Sequence, residues 1–432
     1  MNRQLSVLVL GLSFMSLLFS CSTSGSKKSS DKESHKEIEY KYASMKDGLL
    51  HLDLNEARKH ERKLKLSEIC DSLIYIPLET REDALIGRYI EKIMMDGEDI
   101  FIHTDMKLLH FNTRGESLGQ IGTTGRGPGE YVCGNFFLDE NARKIYVRDI
   151  YKHYFMTFDY SGKLLDHTFK FEEYPGSVYF VRKDSSVLSS YCYSFFDNKK
   201  DEKKSEYTLL KETDIEGNIH NVIKSKYFPK EFEMQPSDFS ISYNAISSFM
   251  YKDKMNVQEI SNDTVFEYSD KALQPRFVLN NRDYKDKVVF KSFEKYLMKA
   301  WLTRRNGESP SIKDRAFEYN TVYAESDRYL FIGRGERFVY DKKAGELICY
   351  DAIKLKEELN IVNDFDNCLD VRPYRILNNS FILFYPSALD LLEMYEKLEN
   401  PSSSIYGKRL KSIVDNLKEE SNPVIVLARL KK

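Results

Sequence analysis

Cysteine is scarce in this chain and never closely paired: there are six in 432 residues, with no CxxC. Beyond Cys21 the thiols are Cys70, Cys133, Cys192, Cys349 and Cys368, an odd number at wide spacing. That pattern argues against a disulfide framework or a zinc site, and reads as small apolar residues in strands. Histidine is missing beyond residue 220, since all eight lie at or before His220. His60-Glu61 opens HERKL, which lacks the second histidine of HExxH, and no GxSxG is present. Carboxylates are abundant, but no spacing sets a pair of them across a substrate or a metal. No catalytic residue, metal ligand or cofactor is therefore assigned. A formal charge of −2 gives no bias toward nucleic acid.

The first twenty residues lack acidic groups and are dominated by an apolar run from Leu5 to Phe19. The run is too short for a membrane span and is followed at once by a Ser/Gly/Lys stretch, as in a secretion signal over 1–20. Its end, Leu18-Phe19-Ser20-Cys21, resembles the lipobox of bacterial lipoproteins, with Phe19 bulkier than the pattern. The resemblance implies lipidation of Cys21 by acyl chains such as palmitate. It also implies a lipid membrane as partner and a position at the cell envelope, on the outer membrane. No acidic residue follows Cys21 directly, which leans toward a periplasm-facing position. Residues 21–64, polar and charged at first, are expected to be a flexible tether.

What the remainder has in quantity is aromatic residues: 29 Tyr and 27 Phe, set among Val, Ile and Thr, which favour strands. A turn pattern recurs as FNTRGESL from Phe111, FDYSGKLL from Phe158, TDIEGNIH from Thr213 and YDKKAGELI from Tyr340. FEYSDKAL from Phe266 carries Asp270 where the others have Gly. Short alternating runs such as EDIFIHTD and RKIYVRD precede these turns. A glycine supplying φ > 0 at each hairpin makes every repeat one four-stranded propeller blade. A sixth blade is expected from Asn367 to Pro386, turning at Asn378-Asn379, plus NPVIVLARL near the C-terminus. The strand SLIYIPLE (Ser72 to Glu79) would close the ring against it. The fold expected over 65–432 is all-β: a six-bladed β-propeller with helical insertions.

Those insertions are two. Over 283–317, Val289, Phe293, Leu297 and Trp301, the single Trp, fall on one helical face. Over 387–421, two helices are expected around Asn400-Pro401-Ser402, with apolar faces packed on the propeller rim.

Ile76-Pro77-Leu78-Glu79, Ile86-Gly87, and Gly122 with Gly125-Arg126-Gly127-Pro128-Gly129-Glu130-Tyr131 together resemble the six-bladed β-propeller lipoproteins of Gram-negative bacteria. These are NHL-like and TolB-like propellers. The resemblance spans roughly residues 65–430 and implies a fold and an envelope location, without a settled reaction. The GRGPGEY loop lacks the spacing of GxxxxGK[ST] and precedes a strand, so it reads as a blade-to-blade crossover. Pro128 fixes one φ, the glycines allow left-handed steps, and Arg126 is expected to pair with Glu130.

Two functions of different class remain. The favoured one is a membrane-anchored module that binds a protein or small molecule, because a scaffold and an anchor are visible and a nucleophile is not. The alternative is a hydrolase or lyase at the central tunnel, by fold analogy. A cluster of inward His, Asp, Glu and Arg at the tunnel mouth would favour the enzyme.

Overall fold

The recurring turns of the sequence become hairpins that staple third strands to fourth. Gly115, Gly162, Gly217 and Gly345 all take positive φ, between 71° and 90°. The Asn or Asp before each glycine stitches the turn, as when Asp159 Oδ1 accepts from the Ser161 and Lys163 amides at 2.9 and 3.0 Å. Asp270 and Lys271 replace the glycine with two left-handed residues, φ 52° and 61°, as a two-residue hairpin requires.

The computed structural model describes residues 39–151, 154–170, 175–180, 186–191, 193–194, 207–214, 216–225, 242–243, 246–259, 262–280, 321–333, 337–351, 361–371, 375–398 and 404–432. Their strands form six antiparallel four-stranded blades. Blade 1 runs through Ile90–Asp96, Asp99–Thr104, Lys107–Asn112 and Ser117–Gln120. Blade 2 comprises Cys133–Asp139, Lys144–Asp149, Tyr154–Asp159 and Leu164–Lys170. Blade 3 spans 175–225, blade 4 spans 246–280 and blade 5 spans 321–351. The first strands of blades 2 and 3, 4 and 5, and 5 and 6 are neighbours, which sets them around the axis of the ring.

Blade 6 is assembled from both ends of the chain: Arg375–Leu377, Phe381–Phe384, Val424–Leu430 and then Cys70–Pro77. The last two pair antiparallel from Cys70 opposite Leu430 to Pro77 opposite Val424. The expected closure is thus present. The Asn378-Asn379 turn has both residues left-handed, φ 47° and 52°.

The tether boundary at residue 64 is corrected. Ala43–Lys46 and Leu49–Asp53 form a hairpin, and the second strand pairs in parallel with Ala272–Asn280 on the outer edge of blade 4. The helix Leu54–Lys59 follows, capped by Asp53, whose carboxylate accepts from the Glu56 amide. Leu52, Leu54 and Ala57 are buried with Phe277, Phe338 and Leu347 of blades 4 and 5. LLHLDLNEA has apolar residues to bury, and the open edge of blade 4 receives them.

The helices expected near the C-terminus are Ala388–Glu396 and Ile405–Val414, N-capped by Ser387 and Ser404. Leu391 and Leu410 are buried in the blade 5 and 6 core with Val426 and Leu430, so these helices pack on the propeller. The insertion over 283–317, Trp301 included, lies outside the described residues. Cys70, Cys133, Cys349 and Cys368 are buried in hydrophobic clusters of the blades. Cys192 lies outside the described residues.

Candidate functional site

In an up-and-down blade, a crossover and the turn between second and third strands emerge on the same face of the ring. The crossover into blade 1 (78–89), the turn Asp105-Met106, the GRGPGEY crossover and the turn at Ile150-Tyr151 therefore share one face. Hydrogen bonds join them in sequence. Thr104 Oγ1 donates to the Tyr89 carbonyl at 2.9 Å, the Cys133 amide to Met106 O at 2.8 Å, and the Ile150 amide to Val132 O at 3.0 Å.

The GRGPGEY loop is closed by its own backbone. Thr123-Thr124 and Glu130-Tyr131 form a short parallel ladder, and the Gly125 amide donates to Tyr131 O at 2.8 Å. Tyr131 is fully buried, edge-on to Phe158, and its hydroxyl donates to the Ile121 carbonyl. Gly122 (φ 61°) and Gly129 (φ 78°) are left-handed. A Cβ on Gly122 would sit 2.6 Å from the Phe158 ring, and one on Gly125 would sit 2.0 Å from Glu130 Oε2. The loop thus turns the chain from blade 1 to blade 2, with Pro128 at its tip beside Gly129.

The expected pairing of Arg126 with Glu130 is replaced by another. Glu130 Oε2 accepts from the Gly127 amide at 2.8 Å. The Arg126 guanidinium lies 4.3 Å over the Tyr151 ring and donates to its hydroxyl at 2.9 Å. Inside the loop the Glu130 carboxylate accepts from a turn amide, and Arg126 reaches the neighbouring turn instead. Around it the face carries exposed apolar side chains: Tyr89 (64% exposed), Met106, Ile150 and Tyr151 (55%). Arg88 stacks 5.3 Å over Tyr89.

Below this face, the first strands bring polar side chains together near the axis. Lys92, half-buried, donates to Asn135 Oδ1 at 3.2 Å and to Phe136 O at 2.5 Å, and lies 4.2 Å over the Phe137 ring. Burial brings its pKa down to about 7, and Arg375 of blade 6 acts in the same direction. The nearby Cys133 thiol, pushed by burial up to about 12, is neutral and supplies no counter-charge. Arg375 Nη2 donates to the Glu91 carbonyl at 2.6 Å, while its Nη1 is buried without a hydrogen-bond partner. His103, buried, lies 3.0 Å from Cys133 O through Nε2, and burial lowers its pKa. These contacts engage the bulges at Ile90/Lys92 and Cys133/Asn135, which free backbone groups from the ladder.

The opposite face, at the turns between first and second strands, is differently built. Glu325, 1% exposed, accepts from both Arg276 Nη atoms, with Nη2 at 2.7 Å, and from Lys342 Nζ at 2.6 Å. In blade 1, Asp99 accepts from Arg143 at 2.8 Å and pairs with His110 at 2.8 Å.

The residues picked out from the sequence therefore separate. Gly122 to Tyr131 lie together in the crossover from blade 1 to blade 2, and Cys21 lies outside the described residues. His51 and His60 belong to the N-terminal segment, and His60 stacks on Tyr42. His153 lies outside the described residues, as do the contacts of the His167 side chain. Sequence reasoning missed Lys92, Arg375, Tyr89 and Tyr151. Among the described residues no group of three or more His, Cys, Asp or Glu is placed to hold a metal ion.

A family model described as a domain of unknown function (DUF4934) matches residues 49–429. Its start falls inside the N-terminal hairpin, in agreement with the corrected boundary. A candidate exported protein of Bacteroides fragilis is similar over 86% of this chain and 98% of its own, at 17% identity and a TM-score of 0.56. A DUF4221 family member from Bacteroides vulgatus covers 86% of this chain and 99% of its own, at 10% identity and a TM-score of 0.43. The extracellular domain of a candidate one-component system from B. thetaiotaomicron is 10% identical over 66% of this chain and 30% of its own, with a TM-score of 0.35. No curated protein matches the chain. A model that matches nearly the whole ring, from the strand beside blade 4 to the strand that closes blade 6, places the chain in the DUF4934 family of six-bladed β-propellers.

Proposed function

We propose that this protein is a lipid-anchored binding module of the cell envelope, held at the outer membrane through an acylated Cys21, with the crossover face of blades 1 and 2 turned toward its ligand. The carrying observation is the exposed row of Tyr89, Met106, Ile150 and Tyr151 on crossovers and turns that are tied to one another by hydrogen bonds. Apolar side chains held rigidly at a surface lose little freedom when a ligand covers them. The lipobox at Leu18 to Cys21 supports the anchor, and the B. fragilis protein of like fold is described as exported. The NHL-like and TolB-like kinship implied by the GRGPGEY loop belongs to the same reading, as does a periplasm-facing position.

The test has two arms. Cys21→Ser is expected to move the protein from the membrane to the soluble fraction and to abolish fatty-acid labelling. Unchanged retention, with no label on the wild type, overturns the anchor. In a thermal-shift screen of envelope metabolites and peptides, hits on the soluble domain are expected to vanish in the double variant Tyr89→Ala/Tyr151→Ala. Hits indifferent to both substitutions overturn the choice of face.

The alternative, a hydrolase or lyase at the axis, draws on Lys92, since an ammonium with its pKa near 7 has the profile of a general base. Its ammonium is already engaged by Asn135 and Phe136 of blade 2, which makes it a fixed cation first.

A further inference from the structure

Arg and Lys side chains removed from water need their charge answered as well as their N–H groups satisfied. At the junction of blades 6, 1 and 2 the second need is partly met and the first is not. Lys92 has two neutral acceptors, an amide and a carbonyl oxygen. Arg375 has one, the Glu91 carbonyl, and its Nη1 is buried with none. Neither cation has a carboxylate within ion-pair distance among the described residues. Arg375 also lies near enough to disfavour the charge on Lys92. Both come from first strands, around the axis, and Lys92 sits just inside the crossover that carries Tyr89. At the junction of blades 4 and 5, by contrast, Arg276 and Lys342 converge on Glu325.

We propose that Lys92 and Arg375 form the floor of an oxyanion-binding site, which takes a carboxylate or phosphate group of a small-molecule ligand entering from the crossover face. The guanidinium supplies a planar fork with unused donors and the ammonium a point charge beside it, a combination that matches oxyanion geometry. The bound group removes the mutual repulsion of the two cations and gives Nη1 its missing acceptor. His103, held on the Cys133 carbonyl, stays neutral and positions the blade 2 strand without contributing charge. The proposal rests on the crossover face being the binding face, and it specifies the chemistry at its base.

Sodium acetate and sodium phosphate, each set against sodium chloride at equal ionic strength, serve as probes for the soluble domain carrying its full propeller. Melting temperature and titration calorimetry are the readouts. At least one of the two oxyanions is expected to stabilise the wild type beyond chloride, and which of them does so separates a carboxylate site from a phosphate site. Lys92→Met and Arg375→Met are expected to weaken binding by at least about tenfold. Lys411→Met, at an exposed pair with Asp415, is expected to leave it unchanged. If the Met variants fail to melt cooperatively, NMR titration of the Lys92 ammonium replaces them, and its pKa is expected to rise when the probe is bound. A wild type indifferent to both oxyanions, equal binding by the Met variants, or an unmoved Lys92 titration overturns the proposal. Inert oxyanions alongside a neutral hit that needs Tyr89 and Tyr151 would sink this site and leave the binding module standing.

Discussion

The junction of blades 4 and 5 and the junction of blades 6, 1 and 2 both contain two cations drawn from neighbouring blades, and they answer them in opposite ways. At the first, Arg276 and Lys342 share the carboxylate of Glu325, and Asn256 takes a further Arg276 proton at 2.9 Å. At the second, Lys92 and Arg375 meet neutral oxygens and aromatic rings, with no carboxylate in ion-pair distance among the described residues. The difference teaches that a buried charge can fasten blades only when its opposite is supplied within the chain. Where it is not, the charge raises the free energy of the ring and remains available to something outside it.

The comparison breaks most sharply at Glu325. Glu325→Gln removes the carboxylate that Arg276 and Lys342 share and leaves Arg276 only the longer 3.9 Å contact with Glu267, and loss of one partner of a buried network costs about 3–5 kcal/mol. Chemical denaturation should show it, and a loss below about 1 kcal/mol would mean the network is solvated and the contrast is false.

A second break is at the loop. Gly122→Ala puts a Cβ 2.6 Å from the Phe158 ring at a left-handed backbone, where strain and overpacking together cost about 2–3 kcal/mol. Gly129→Ala, equally left-handed but with its nearest neighbour, Leu164, at 3.7 Å, costs about 1 kcal/mol. Equal melting of the two variants would show that packing contributes nothing there.

The comparison sharpens with pH. The folded pKa of Lys92, about 7, lies below the unfolded value of about 10.4. Between those limits the unfolded chain binds more protons, so this group's contribution to stability rises with pH across that window and is at its least favourable below pH 7. Lys92→Met should remove that part of the slope. Parallel stability curves for variant and wild type from pH 7 to 10 would place the ammonium in water.

The smallest effect belongs to Arg126→Ala. Its cation–π contact with Tyr151 is at the surface, worth about 0.5–1 kcal/mol, so melting should barely change. A loss of several degrees would restore the loop-closing role first expected of Arg126.

Much of the ring is legible in the residues because each blade repeats a local device. The Gly or Asp at positions 115, 162, 217, 270 and 345 announces a hairpin by steric need, and alternation marks the strands around it. The latch strand was readable because SLIYIPLE has no hairpin partner nearby. The N-terminal hairpin was not, since LLHLD becomes a strand only against the edge of blade 4, whose residue Phe277 faces Leu50 across more than half the chain. The cation pair was equally hidden. Lys92 and Arg375 are brought together by ring closure, which leaves no spacing to recognise, and Tyr151 lies a full blade-turn away from Arg126.

The latch also sets a schedule for the newborn chain. Cys70–Pro77 is made early, while its partner Val424–Leu430 follows only about 350 residues later. Until then Ile76 and Leu73 have no sheet to enter, and the ring cannot be finished. A chain built in this manner stays open by topology until that strand is made, and deletion of Val424–Leu430 would leave blade 6 without the strand that receives Cys70–Pro77.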